Sequence, residues 1–262
     1  MKISASITDF PIFSHVKTFF HEFHEAGVDG VEMVLGIKSR WQLNYIKQLS
    51  REYQLPITSV HQPAWSGTGI YFDKHFVEWA KELGTNAIVF HPLSFTSFAS
   101  RTMEKYLKKL ASLQEEFDIV VLFENMPKDF VYKKLYLPPY TTYLQHLEQT
   151  NIYADMYGLS LTYDVSHPEL KQPQKELIFQ RMFPKIANIH LSSFVRGHHH
   201  LPLNLGQFDC KGFVEYLVKK QYKGLVTLEV YYPELITLGN TYDFSAIAKS
   251  VKVFKEILDR LP

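Results

Sequence analysis

Short apolar runs alternate with longer amphipathic ones along the whole of this 262-residue chain. The first run, Lys2 to Ile7, has the character of a strand and is stopped by Asp9-Phe10-Pro11. From His15 to Ala26, the residues Val16, Phe19, Phe20 and Phe23 recur at helical spacing, and Gly27 closes the helix they predict. A strand over 30–34 follows. Then comes a helix from about Ser39 to Tyr53, with Trp41, Leu43, Ile46 and Leu49 on its apolar face. The same reading continues with strand 57–60, helix 72–83, strand 87–90, helix 101–117 and strand 119–123. It ends with helix 140–149, strand 159–163, helix 173–182, strand 186–189, helix 211–220, strand 225–228 and helix 244–261. Gly84 is a C-cap glycine for the third helix, and Asp209 a side-chain cap for the helix that begins at Lys211.

The pattern predicts eight strand-then-helix units, an α/β chain. Short β-branched strands without clear alternation suit a parallel sheet covered on both faces. Eight such units favour a closed (β/α)8 TIM barrel over an open doubly wound sheet. A glycine-rich phosphate loop does not follow the first strand, which argues against a dinucleotide fold. No linker, low-complexity stretch or charge block interrupts the alternation, so residues 1–262 are expected to form a single domain.

In such a barrel the carboxyl ends of the strands share one rim. His61, His91, Glu124, Asp164, His190 and Glu229 stand at those ends. A lone carboxylate in so apolar a place is costly unless paired or metal-bound, and carboxylates with imidazoles form the usual set for zinc, manganese or cobalt. His167 lies three residues past Asp164. The loop after His190 carries Arg196 and the run His198-His199-His200. Side-chain alternation would let His198 and His200 converge on one ion while His199 points elsewhere. Asn125 is open to two readings, substrate contact or ordering of its own loop. Trp65 and Phe95 either stack on a sugar face or pack, in a chain that is 15% aromatic. Glu32 reads as a structural residue or as a partner for substrate or a rim arginine, and the lysine pairs 108–109 and 219–220 as solvated helix faces.

Composition narrows the partners. A formal net charge of +1 gives no global attraction to nucleic acid or anionic membrane, so any phosphate binding must be local. The sole cysteine, Cys210, excludes an internal disulfide framework, fits a reducing compartment and reads as structural rather than nucleophilic. The first ten residues lack the apolar core and cleavage site of a signal peptide, and no apolar run nears the roughly 20 residues of a membrane span. The expectation is a cytoplasmic protein without a membrane partner.

Taken in order, Gly30-Val31-Glu32, His61, His91-Pro92, Glu124-Asn125, Asp164-Val165-Ser166-His167, His190-Leu191, His200-Leu201-Pro202 and Glu229 resemble the xylose isomerase-like barrel superfamily. That superfamily comprises sugar and sugar-phosphate isomerases and epimerases together with endonuclease IV. In its epimerase and isomerase branch, the resemblance implies one divalent metal (zinc, manganese, cobalt or magnesium) held by Glu124, Asp164, His190 and Glu229. It further implies that Glu124 and Glu229 are the catalytic acid-base pair working through a metal-stabilised cis-enediolate, and that His167 and Arg196, with His61 and His91, bind substrate oxygens. The substrate would be a small sugar or sugar phosphate, and dimers or tetramers are common assemblies.

The endonuclease branch implies a different chemistry. There three zinc ions activate water on a phosphodiester, and the matching ligands here are His61, His91, Glu124, Asp164, His167, His190, His200 and Glu229. His198 stands where that branch has an aspartate, which removes one negative charge from the third site. Asn204-Leu205-Gly206 stands where the last loop usually reads Gly-Glu-Gly. The near-neutral charge, the lack of lysine or arginine between His61 and Lys74, and Arg196 itself all favour the sugar reading over nucleic acid. A non-catalytic sugar- or metal-binding barrel is the third reading.

Overall fold

Eight parallel strands follow one another around a closed barrel in the computed structural model. It describes residues 1–7, 15–36, 42–63, 74–93, 101–126, 143–168, 172–195, 198–230 and 245–261. In chain order the barrel strands are β1 (Lys2–Ile7), β2 (Gly30–Val34), β3 (Ile57–His61), β4 (Ala87–Phe90), β5 (Val120–Glu124), β6 (Ser160–Asp164), β7 (Ile186–Leu191) and β10 (Leu225–Leu228). The described helices are α1 (Val16–Ala26), α2 (Leu43–Glu52), α3 (Lys74–Glu82), α4 (Arg101–Phe117), α5 (Tyr143–Tyr157), α6 (Gln172–Met182), α7 (Cys210–Lys219) and α8 (Ser245–Asp259). This is the (β/α)8 barrel expected from the alternation. The chain also divides into two compact units, Met1–Thr58 with His190–Pro262, and Ser59–Ile189.

Strand interiors are buried almost throughout, as a parallel sheet clothed by helices requires. They are not uniformly apolar, however. In β1, Ile3, Ala5 and Ile7 alternate with Ser4 and Ser6, all of them buried. Ser4 Oγ donates to the Gly30 carbonyl at 3.2 Å and lies 2.7 Å from Thr58 Oγ1, which in turn donates to the Val31 carbonyl at 3.1 Å. In the other unit, Asn188 Nδ2 reaches Thr162 Oγ1 at 3.5 Å. Small polar side chains thus fill these strand faces and satisfy one another, which keeps their burial from costing the desolvation of an unpartnered group.

The helix ends explain the boundaries. Gly27, Gly84 and Gly158 adopt left-handed backbones at φ +70°, +84° and +62° and terminate α1, α3 and α5. Lys255 of α8 donates to the Ala26 carbonyl at 3.0 Å, serving an acceptor that the end of α1 leaves without a helical donor. Asp209 accepts from Gly212 N–H at 3.0 Å and caps α7, which begins at Cys210, one residue before the expected start.

Two expectations need correction. The helix expected over 140–149 runs to Tyr157, through Thr150, which is buried and donates its hydroxyl to the His146 carbonyl at 2.9 Å. The region after His190, expected as a loop, contains an antiparallel pair, β8 (Ser193–Val195) and β9 (His198–Leu201). A register irregularity between Ser193 and Val195, and φ +58° at His200, break the simple alternation expected for the three histidines. The strands also continue one residue further than the apolar runs suggested, taking in His61, Glu124 and Asp164, because a ladder bonds the backbone whatever the side chain.

Gly30, which opens β2, has no room for a side chain. A Cβ there would lie 2.5 Å from Thr58 Cγ2 and 2.7 Å from the Pro56 carbonyl oxygen, which itself accepts from Val31 N–H at 2.9 Å. Gly30→Ala is expected to lower unfolding free energy by about 1–3 kcal/mol through overpacking, as read by denaturant titration.

Candidate metal centre

In the unit of residues 59–189, the strand ends bring five ionisable side chains to one layer. His61 ends β3, His91 follows β4, Glu124 ends β5, Asp164 ends β6, and His167 lies in the turn beyond it. All five are buried, Glu124 to 1% exposure and Asp164 to 0%. One carboxylate oxygen, Glu124 Oε2, meets His61 Nε2 at 3.1 Å and His91 Nε2 at 2.9 Å, and the two rings stand edge to face at 4.8 Å. The ligand atoms of His61, His91 and Glu124 lie within 4.8 Å of one another, close enough to hold one cation.

The backbone beneath these groups is pinned by side chains outside the charged set. Gln62 Oε1 accepts from His91 N–H at 2.9 Å, and Tyr106 donates its hydroxyl to the His91 carbonyl at 2.7 Å. Asn125 accepts from Asp164 N–H at 2.9 Å and donates to the Asp164 carbonyl at 3.1 Å. Of the two readings of Asn125, these bonds assign it to ordering the rim. Asp164 Oδ1 accepts from Ser166 N–H, Ser166 Oγ and His167 N–H at 2.6, 2.7 and 3.1 Å. Those donors fix the carboxylate plane and aim Oδ2 the other way.

His167 has a defined tautomer. Its Nδ1 lies 2.6 Å from the Asn125 carbonyl, which can only accept, so Nδ1 carries the proton. In the neutral ring Nε2 then carries a lone pair, and it faces Asp164 Oδ2 at 3.6 Å. Two acceptors facing each other in a buried site are reconciled by a cation between them.

The unit of residues 1–58 and 190–262 has its own set. Glu32, at the middle of β2, and His190, in β7, are both at 0% exposure. His190 Nε2 is 3.1 Å from Glu32 Oε1 and 3.4 Å from Oε2, while Nδ1 is 2.7 Å from Glu229 Oε2. Glu229 follows β10, where its N–H donates to the Leu191 carbonyl, and His200 Nδ1 lies 3.7 Å from the same Glu229 oxygen. A neutral imidazole has one N–H and cannot donate to carboxylates on both sides. The arrangement therefore requires positive charge, either a second proton or an ion shared by His190 and Glu229. The buried imidazole and carboxylate donors of both units suit a divalent ion such as zinc or manganese.

Some candidate residues fall outside this geometry. Arg196, Trp65 and Phe95 lie outside the described residues, as does the side chain of His198. The lysine pairs 108–109 and 219–220 are exposed, as expected of solvated helix faces. Gly206 keeps the last loop close: a Cβ there would collide with Ser193 Oγ and approach Phe194 N to 2.7 Å, so the final glycine is the position the loop depends on. No motif or spacing singles out Gln62, Tyr106 or Ser192. Buried hydroxyls on Ser6 and Ser192 have no hydrogen-bond partner among the described residues, and Ser6 is the register partner of Glu32.

Two buried groups away from the centre titrate abnormally. Burial raises the Cys210 thiol to about 12, with the Asp209 charge adding to it. Native protein at pH 8 should therefore carry roughly 1000-fold less thiolate than an ordinary cysteine and resist a disulfide reagent until unfolded. His146 in α5 is lowered to about 3, first by burial and then by the charge of His167. The unfolded chain takes up a proton near pH 6.5 that the folded one refuses. Stability should thus be lost as pH falls from about 6.5 towards 3, by about 1.4 kcal/mol per pH unit from this group. Denaturant titrations of His146→Gln across that range should show a shallower acid loss than the parent.

The model of the family described as Xylose isomerase-like TIM barrel matches residues 20–257. An uncharacterised protein of Mycobacterium leprae is 32% identical over 108 residues, a match that spans 38% of this chain and 38% of that relative's length. Among solved structures, D-allulose 3-epimerase from Methylomonas sp. superposes with a TM-score of 0.71 at 17% identity, covering 100% of this chain and 98% of that one. An AP endonuclease, family 2, from Brucella melitensis superposes with a TM-score of 0.68 at 14% identity, covering 95% and 97%. At these identities the two structures share the fold. No helix among the described residues is long and apolar enough to cross a membrane.

Proposed function

Because the chain belongs to the xylose isomerase-like TIM barrel family, we propose that it is a divalent-metal-dependent isomerase or epimerase of a small sugar or sugar phosphate. The observation that carries this reading is the 2.7 Å approach of His190 Nδ1 to Glu229 Oε2, with Glu32 already on the opposite nitrogen, a position that a shared cation would satisfy. Glu124, Asp164, His190 and Glu229 are the proposed ligands. Asp164 contributes Oδ2, the oxygen not occupied by its three donors. A bound ion would polarise the substrate carbonyl and its neighbouring hydroxyl.

The chain's own groups supply the proton transfers. One of Glu124 and Glu229 removes the proton from the carbon beside the carbonyl. The other returns a proton to the opposite face, giving the epimer, or to the neighbouring carbon, giving the isomer. Buried imidazoles at His61 and His91 hold Glu124 Oε2, which orients that carboxylate. His167, with its tautomer held by the Asn125 carbonyl, and Arg196 are proposed to bind substrate oxygens, as are the imidazoles of His61 and His91. The epimerase activity named for the Methylomonas protein makes ketoses the first substrates to try.

A second reading is favoured by the compact His61–His91–Glu124 cluster, which could hold an ion of its own. With His200 beside Glu229, it would make the rim multinuclear and suit a zinc phosphodiesterase.

Metal content of protein purified without a histidine tag separates the two. A single ion per chain, with ketose epimerisation that falls about 100- to 10,000-fold in Glu229→Gln while the fold persists, is the expected result. Unchanged turnover in that variant would overturn the acid-base assignment. About three zinc ions per chain with nicking of an abasic-site duplex would establish the phosphodiesterase instead.

A further inference from the structure

We propose that Glu32 is the positioning residue of the metal centre, holding His190 in the tautomer that presents Nδ1 to the ion. The inference rests on the reading of His190 as a ligand and adds which nitrogen binds and what makes it bind.

The carboxylate of Glu32 is at 0% exposure and faces His190 Nε2, with Oε1 at 3.1 Å and Oε2 at 3.4 Å. An ionised carboxylate can only accept, so its bond through Oε2 makes Nε2 the N–H, and in the neutral ring Nδ1 is the lone-pair nitrogen. Nδ1 is the atom 2.7 Å from Glu229 Oε2, so in that tautomer a lone-pair nitrogen and a carboxylate oxygen face each other, an opposition that a shared ion would relieve. Glu32 therefore fixes the ring plane and raises the basicity of the ligating nitrogen through the bond it accepts on the far side.

Glu32 is also rigidly held. It lies at the middle of β2, in register with Ser6 of β1, while the other carboxylates of the rim end or follow their strands. The strand that carries it begins at Gly30, against the Pro56 carbonyl and Thr58, where a larger residue would displace it. A buried charge on a strand that cannot shift is well suited to set the angle of a ring and poorly suited to follow a substrate.

The test uses the full chain, stripped of metal and titrated with Co²⁺. Wild-type protein should bind Co²⁺ stoichiometrically. Glu32→Gln should raise the dissociation constant about 10- to 100-fold and change the visible Co²⁺ spectrum, with the circular dichroism and melting midpoint of the metal-free protein near wild type. Equal Co²⁺ affinity and an unchanged spectrum in the variant would overturn the positioning role while leaving the metal-enzyme reading intact. Failure of the wild type to bind Co²⁺ would instead overturn that underlying reading. Should Glu32→Gln not fold, long-range proton–nitrogen NMR of Zn²⁺-loaded wild type decides the matter. A protonated Nε2 with metal-shifted Nδ1 on His190 supports the proposal, and a metal-shifted Nε2 overturns it.

Discussion

A carboxylate removed from water must meet positive charge or several donors, and the described residues bury four of them in or just after barrel strands. Glu32, Glu124, Asp164 and Glu229 each answer that requirement with local partners. Two imidazoles meet Glu124, three donors hold one oxygen of Asp164, and His190 lies between Glu32 and Glu229. Much else follows from this. Within the unit of residues 59–189, Gln62 and Tyr106 bond to the backbone of His91, and Asn125 bonds to that of Asp164.

The partners are of two kinds, and the difference matters for chemistry. Donors such as Ser166 N–H and His167 N–H neutralise nothing and serve only to aim. Imidazoles can take a proton, share an ion or do neither, so their number sets how much charge the rim tolerates. With histidines at 61, 91, 167, 190 and 200 the described rim is rich in such groups, which is why a mononuclear sugar site and a multinuclear phosphodiester site compete as readings.

Most of the architecture was legible in the order of apolar runs. All eight barrel strands fall where short runs predicted them, since a strand buried on both faces cannot hide its composition. The ligand candidates were legible by position alone, as ionisable residues closing those runs. What did not show was direction. Glu32 and His190 are distant in sequence, and no spacing rule tells that a mid-strand glutamate meets a histidine of β7 through one particular nitrogen. The β8–β9 pair was equally opaque, because its arms are three and four residues long and its register is irregular, leaving no periodicity to read. Helix α5 outruns the expected 140–149, passing through buried Thr150, whose hydroxyl bonds to the His146 carbonyl, to end at Tyr157.

The clamp of Asn125 on Asp164 has a consequence for how this rim could change over time. By offering one acceptor and one donor to a single residue's N–H and carbonyl, the Asn125 side chain plays the part of a peptide group and adds one rung to the sheet beyond Glu124. The rung is written in a side chain, so it can be erased by one codon without touching any ligand. Glu124 and Asp164 would then be held together by the main-chain ladder alone, so the relative placement of two charged groups rests on an uncharged neighbour.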